Sequence, residues 1–294
     1  MIETQTPIYT LLAEYGVTRA LRNGEVNSKL LRLDYADYDP SNLGFKTFVR
    51  DAAFQAGELA IVTFLMAKAR GAPLVLMPAP ISGRFQHHCI AYNAENRVLS
   101  PKDLEGKRVG VRAYTQTTGA WVRGILQNEY DVDLSKITWV CFEDAHVENY
   151  TEPSNVTRGS EGQKLIDMLL DGSLDAAMLG SNMPDDPRLK TVIVDPQEAA
   201  KVWFERTGVI PLNHVFVVRE DLSNERPDLV RELYRLLKES KAKAGLKGLD
   251  TRPYGVEANR KTLEMIILYC RQQGLIDRDL TVDELFDDVT RTLE

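Results

Sequence analysis

The sequence predicts an α/β protein of two lobes, and three observations carry that prediction. Strand-like and helix-like apolar periods alternate along most of the 294 residues, as they do where mainly parallel strands are joined by crossover helices. Two turn-rich segments, residues 100–107 (SPKDLEGK) and 207–213 (TGVIPLN), bracket a central block of plausible domain size. No internal repeat or low-complexity stretch breaks the alternation. Lobe 1 is therefore expected to be discontinuous, from 1–105 and 213–294, with lobe 2 at 106–212. Paired crossings leave a cleft, and clefts between domains are where small ligands bind.

The elements follow in order. Residues 29–35, 58–62, 73–77 and 89–92 read as strands, with a helix over 43–55. Beyond Pro101, a strand is expected at 108–111, a helix at 117–130, a strand at 137–142 and a helix at 161–170. Short strands at 176–179 and 191–194 precede a helix at 196–206 and a strand at 215–218. The remainder turns helical: 226–244, 256–273 and a short piece near 283–289.

Composition narrows the function. Lys plus Arg number 36 against 43 Asp plus Glu, a formal charge of −7, so the chain lacks the basic surface that a nucleic-acid partner requires. The longest apolar runs fall short of the roughly 20 residues of a membrane span, and the opening MIETQTPIYTLLAEYG lacks the basic start of a secretory signal. A cytoplasmic protein is expected. Cys89, Cys141 and Cys270 are too few and too scattered for a disulfide framework and are read as buried hydrophobes.

Some candidates come from the residues themselves. Thr117, Thr118 and Gly119 open a helix, where exposed N–H groups and hydroxyls can seat a carboxylate. Arg84, beside Gly83, and Arg50, on a helix with Phe45 and Phe48, are candidate bidentate carboxylate clamps. Of the four histidines, His214 begins the strand leaving the second crossing. His87 and His88 are adjacent on a strand, so only one can face a given cleft. His146 lies in a polar stretch and is read as solvated. Spacings such as HxH or HExxH are absent, and no metal site is expected. Trp121 is read as core, and Tyr254, Asn259 and Arg260 as packing for the terminal helix.

Several stretches carry a resemblance. DLEGKRVGV at 103–111 and LLDGSLDAAML at 169–179 resemble the type II periplasmic-binding-protein fold. FQHHCIAYN at 85–93, TGAWVRGILQNEY at 118–130, RTGVIPLNHVFVVR at 206–219 and PYGVEANRKTLEMIILYCRQQGL at 253–275 resemble the 4,5-dihydroxyphthalate decarboxylase family. The opening YGVTRALRNGEV at 15–26 extends the likeness over nearly the whole chain. The resemblance implies a cytoplasmic carboxy-lyase that takes 4,5-dihydroxyphthalate to 3,4-dihydroxybenzoate and carbon dioxide. Such chemistry needs no redox cofactor, and neither GxGxxG after a strand nor GxxxxGK[ST] occurs; no cofactor is expected.

The resemblance also selects residues. His87 matches the family's histidine and is expected to be the proton donor, with His214 and Glu58 as partners of the substrate hydroxyl. Gln86, and Ser181 with Asn182, stand where the family pattern is basic. Asn182 is kept as a substrate contact, and the missing cations make an acid with one carboxylate a real option. The alternatives are a non-catalytic solute-binding protein for a small aromatic acid, serving a transporter or a sensor, and a lyase or hydrolase for another small acid. A homo-oligomer is compatible with all of these.

Overall fold

Residues 5–160, 162–180 and 183–294 are described by a computed structural model. The chain first forms β1 (Thr6–Leu11), α1 (Arg19–Arg22), β2 (Leu31–Tyr35), α2 (Phe45–Asp51), β3 (Ala56–Ala60), α3 (Ile61–Ala69) and β4 (Leu74–Gly83). It continues with β5 (Ile90–Asn93), β6 (Arg108–Val111), α4 (Thr117–Tyr130), β7 (Thr138–Cys141), β8 (Val156–Arg158), α5 (Leu165–Leu170), β9 (Ala176–Met178) and β10 (Leu189–Thr191). Last come α6 (Pro196–Thr207), β11 (Leu212–Arg219), α7 (Glu220–Glu225), α8 (Pro227–Lys243) and α9 (Val256–Gln272).

These elements form two units. Unit 1 comprises the chain up to Arg84, Leu212–Ile267 and Arg278–Glu294; unit 2 comprises Phe85–Pro211 and Leu268–Asp277. The first crossing thus falls after Arg84, about twenty residues before the boundary expected at 105. The reason is pairing: β5 hydrogen-bonds antiparallel to both β9 and β10, within the sheet of unit 2.

Unit 1 is built on a five-stranded sheet in the order β2-β1-β3-β11-β4. β1 runs parallel to β2 and β3, while β11 lies antiparallel between β3 and β4. The amphipathic helix α8 buries Leu229, Val230, Leu233, Leu236 and Leu237 in a cluster with Ile8, Val75, Met77 and Phe216. The apolar run expected as a strand over 58–62 is divided here. β3 ends at Ala60 and α3 begins at Ile61, with Ile61 to Ala67 all buried. A run apolar on every side shows neither period, so its sequence does not tell strand from helix.

Unit 2 holds a six-stranded sheet, order β10-β5-β9-β6-β7-β8, with parallel pairings β6–β7, β6–β9 and β7–β8. Its core includes Trp121 and Trp139, both fully buried. Gly124 of α4 has a packing role: a β-carbon there would lie 2.0 Å from the Tyr269 ring. Trp121 then meets Tyr269 edge to face at 5.7 Å. Among the described residues no helix is long and apolar enough to cross a membrane. Cys89, Cys141 and Cys270 are all buried, and no disulfide joins them.

Candidate active site

The site in unit 1 grows from strand register. In the β3–β11 ladder Glu58 faces Phe216 and Ala60 faces His214. Side chains alternate along a strand, so Glu58 and His214 are diagonal neighbours on one face of the sheet. The imidazole Nδ1 lies 2.8 Å from Glu58 Oε2. The backbone N–H of His214 donates to Ser82 Oγ at 3.1 Å, where β11 and β4 slip in register. Phe45 of α2 meets the imidazole edge to face, with ring centroids 5.2 Å apart.

Close approach of β1 completes the surroundings of Glu58. Leu11 pairs with Gly57, and a β-carbon at Gly57 would sit 2.4 Å from the Leu11 carbonyl oxygen. Only glycine permits that spacing. Two residues beyond Leu11, the Ala13 N–H donates to Glu58 Oε1 at 2.6 Å. The chain then turns, with the Tyr15 N–H donating to Thr18 Oγ1 and the Thr18 hydroxyl donating to the Ala13 carbonyl, both at 2.8 Å. That turn delivers the Tyr15 hydroxyl to Glu58 Oε2 at 2.9 Å and within 3.3 Å of His214 Nδ1.

The electrostatics follow from these contacts. Burial opposes ionisation of Glu58, but the His214 hydrogen bond and charge, the Ala13 N–H and the Ser41 hydroxyl outweigh it, and the carboxyl stays below its ordinary value. An ionised carboxylate can only accept, so Nδ1 carries the proton and a neutral His214 has its lone pair on Nε2. Burial, followed by the Glu58 charge, raises the Tyr15 phenol well above its usual range and keeps it a donor. The His214 side chain is 24% exposed and that of Glu58 is 0% exposed, so the imidazole is the reachable partner.

The other expected residues are placed as follows. Arg84 is half-buried, two residues past Ser82; Arg50 is exposed at the end of α2, five residues after Phe45. His87 belongs to unit 2, 2% exposed, with Trp203 edge to face at 5.5 Å and Nδ1 buried without a hydrogen-bond partner among the described residues. Burial, with a smaller contribution from His88, pushes its pKa down to about 4. Burial thus favours the uncharged imidazole of His87 at neutral pH.

Within unit 2, His87 lines a cavity of about 410 Å³ with Glu129, Tyr130, Asp195, Trp203 and Arg206. Glu129 and Tyr130 end α4, whereas Thr117 and Thr118, both buried, begin it. The fourteen residues of α4 hold the two ends about 20 Å apart, so His87 and the threonines do not share that cavity. Asn182 and Ser181 lie outside the described residues. His146 is half-buried, and Asn259 packs the start of α9 by donating to the Pro253 and Gly255 carbonyls. Among the described residues no group of three or more His, Cys, Asp or Glu could hold a metal ion. Tyr15, Ser41 and the Ala13 N–H were not foreseen. Tyr15 stands at the head of YGVTRALRNGEV, but no spacing in the sequence ties it to Glu58, 43 residues later.

Comparison with known proteins adds three findings. The family model "NMT1/THI5 like" matches residues 56–151. A 4,5-dihydroxyphthalate decarboxylase of Comamonas testosteroni is 29% identical, covering 94% of each chain; one of Pseudomonas putida is 30% identical over 66% of this chain and 79% of its own. In fold, the chain is similar to the periplasmic aliphatic sulphonate binding protein SsuA from Escherichia coli. The TM-score is 0.61 at 11% identity, covering 96% of this chain and 98% of that one.

Proposed function

The chain belongs to the 4,5-dihydroxyphthalate decarboxylase family, and from that premise we propose that it decarboxylates a hydroxylated aromatic acid, converting 4,5-dihydroxyphthalate to 3,4-dihydroxybenzoate and carbon dioxide. The observation that carries this reading is the Glu58–His214 pair, with a buried ionised carboxylate fixing the tautomer of a reachable imidazole.

In this reading His214 Nε2 removes the proton of the hydroxyl para to the departing carboxylate. The oxygen's electron pair moves into the ring, and the carbon bearing the carboxylate takes a proton from water. The C–C bond then breaks, its electron pair restores aromaticity, and carbon dioxide leaves. The imidazolium on Nε2 returns its proton to the phenolate, and the water that protonated the ring leaves as hydroxide, so atoms and charge balance. No electron is gained or lost overall. Glu58 supports the charge that His214 acquires, and Tyr15 and Ala13 hold Glu58 in place. Arg84 is proposed as the carboxylate clamp, being nearer in sequence to the Ser82 contact of His214 than any other arginine. His87 is given no proton to deliver. The buried cysteines suit a reducing compartment, and the reading places the enzyme in the cytoplasm.

The test is direct. Purified protein with 4,5-dihydroxyphthalate, and no added metal or nucleotide, is expected to release carbon dioxide and accumulate 3,4-dihydroxybenzoate. Tight binding without turnover would instead identify a solute-binding protein.

A further inference from the structure

Unit 1 holds a cavity of about 270 Å³ whose lining includes none of the residues that hold Glu58 and His214. Its apolar wall is Leu21, Val26, Leu31, Leu33 and Leu236. Arg22, the last residue of α1, lies at its edge with the guanidinium stacked 4.1 Å from the Tyr35 ring centroid. Arg22 Nη1 is buried and has no hydrogen-bond partner among the described residues. A charged donor buried without an acceptor is costly, and such groups are nearly always matched.

The other polar groups around the cavity are already engaged. Arg32 makes two bonds to Asp34, at 2.8 and 3.0 Å. Asn27 Nδ2 donates to the Gly24 carbonyl, and Ser28 Oγ accepts the N–H groups of Leu30 and Leu31. Among the described residues no Asp or Glu lines the space. Arg22, with its unmatched nitrogen, therefore borders a cavity with an apolar wall and, among the described residues, no anion. We propose that this cavity binds a small carboxylate with an apolar body, the carboxylate on the Arg22 guanidinium and the body against the leucine wall. Its volume restricts the ligand to fragment size, for which a short fatty acid and a single-ring aromatic acid are the two sources.

Isothermal titration of the full chain with sodium hexanoate and with sodium benzoate separates these sources, using hexan-1-ol and benzyl alcohol as uncharged matches. Parallel titrations of His214→Asn distinguish benzoate held at the candidate active site. At least one carboxylate is expected to bind saturably in wild type and in His214→Asn, with its alcohol about tenfold weaker or worse. Arg22→Gln is expected to weaken that binding about tenfold. Leu33→Phe, which narrows the cavity from its half-buried wall, is expected to abolish it and carries the test if Arg22→Gln does not fold. No saturable binding at millimolar carboxylate overturns the proposal. So does binding that both variants leave unchanged.

Discussion

Tyr15 and His214 converge on the same oxygen of Glu58, the phenol donating at 2.9 Å and the imidazole Nδ1 at 2.8 Å. With the Ala13 N–H on the other oxygen and the Ser41 hydroxyl also bonded to the carboxylate, Glu58 is held by four groups while wholly buried. The imidazole is thus the reachable end of the pair, and the support of the pair comes from a turn remote in sequence.

Removing one donor tests that support. Tyr15→Phe is expected to lower kcat about tenfold with little change in KM, because a positioning contact is lost and no substrate contact with it. Glu58 would then be easier to protonate, so the acid limb of the rate profile moves to higher pH. Steady-state rates carried from neutral pH down to about pH 3, through the range in which Glu58 takes up its proton, measure both effects; an unmoved limb would remove Tyr15 from the mechanism.

The two histidines are expected to differ sharply. His214→Ala should reduce kcat by roughly 10² to 10⁴, the range of a general acid or base. His87→Ala should cost less than about tenfold, as expected of a group that moves no proton. Carbon dioxide release from the two variants, compared side by side, decides between these roles. Equal losses would restore His87 as a proton donor.

Stability should also record the buried neutral His87. Its folded pKa of about 4 lies below the ordinary 6.5, so between those values the unfolded chain binds more protons and stability falls as pH falls. At pH 5 this amounts to roughly 2 kcal/mol relative to pH 7. His87→Gln, which cannot titrate, should flatten that part of the profile in urea melts. The lowered pKa of Glu58 acts in the same direction, its contribution present above the unfolded pKa and lost only in stronger acid.

Gly57→Ala tests the close approach of β1 to β3. A methyl group 2.4 Å from the Leu11 carbonyl must push the strands apart, at a cost of roughly 2 kcal/mol. The Ala13 contact to Glu58 should loosen with it, so urea stability and kcat are expected to fall together. A stable variant with reduced kcat would show that the spacing serves the carboxylate alone.

Much of the architecture was legible because period and punctuation agreed. α4 was expected at 117–130 and is found at Thr117–Tyr130; β6 was expected at 108–111 and is found at Arg108–Val111. β1 was missed, although TPIYTL buries Ile8, Thr10 and Leu11, because so short a segment carries little pattern. β8, an edge strand of three residues with two exposed, gave no apolar signal at all. At the site, Glu58 and His214 are partners that the family resemblance selects, and the β3–β11 ladder brings the two together. Tyr15 was not named, since its role depends on a turn closed by Thr18 that has no signature of its own. Burial of His87 was equally invisible, because it is set by Trp203, more than a hundred residues away.

The strand order of unit 1 has a consequence for how the chain matures on the ribosome. β1 to β4 are synthesised first, yet the slot between β3 and β4 belongs to β11, which ends at Arg219. Until then two strand edges stand bare and Glu58 lacks its imidazole, so a nascent chain halted in unit 2 holds a sticky intermediate. The Glu58–His214 contact is therefore made late, when β11 takes its place in the sheet.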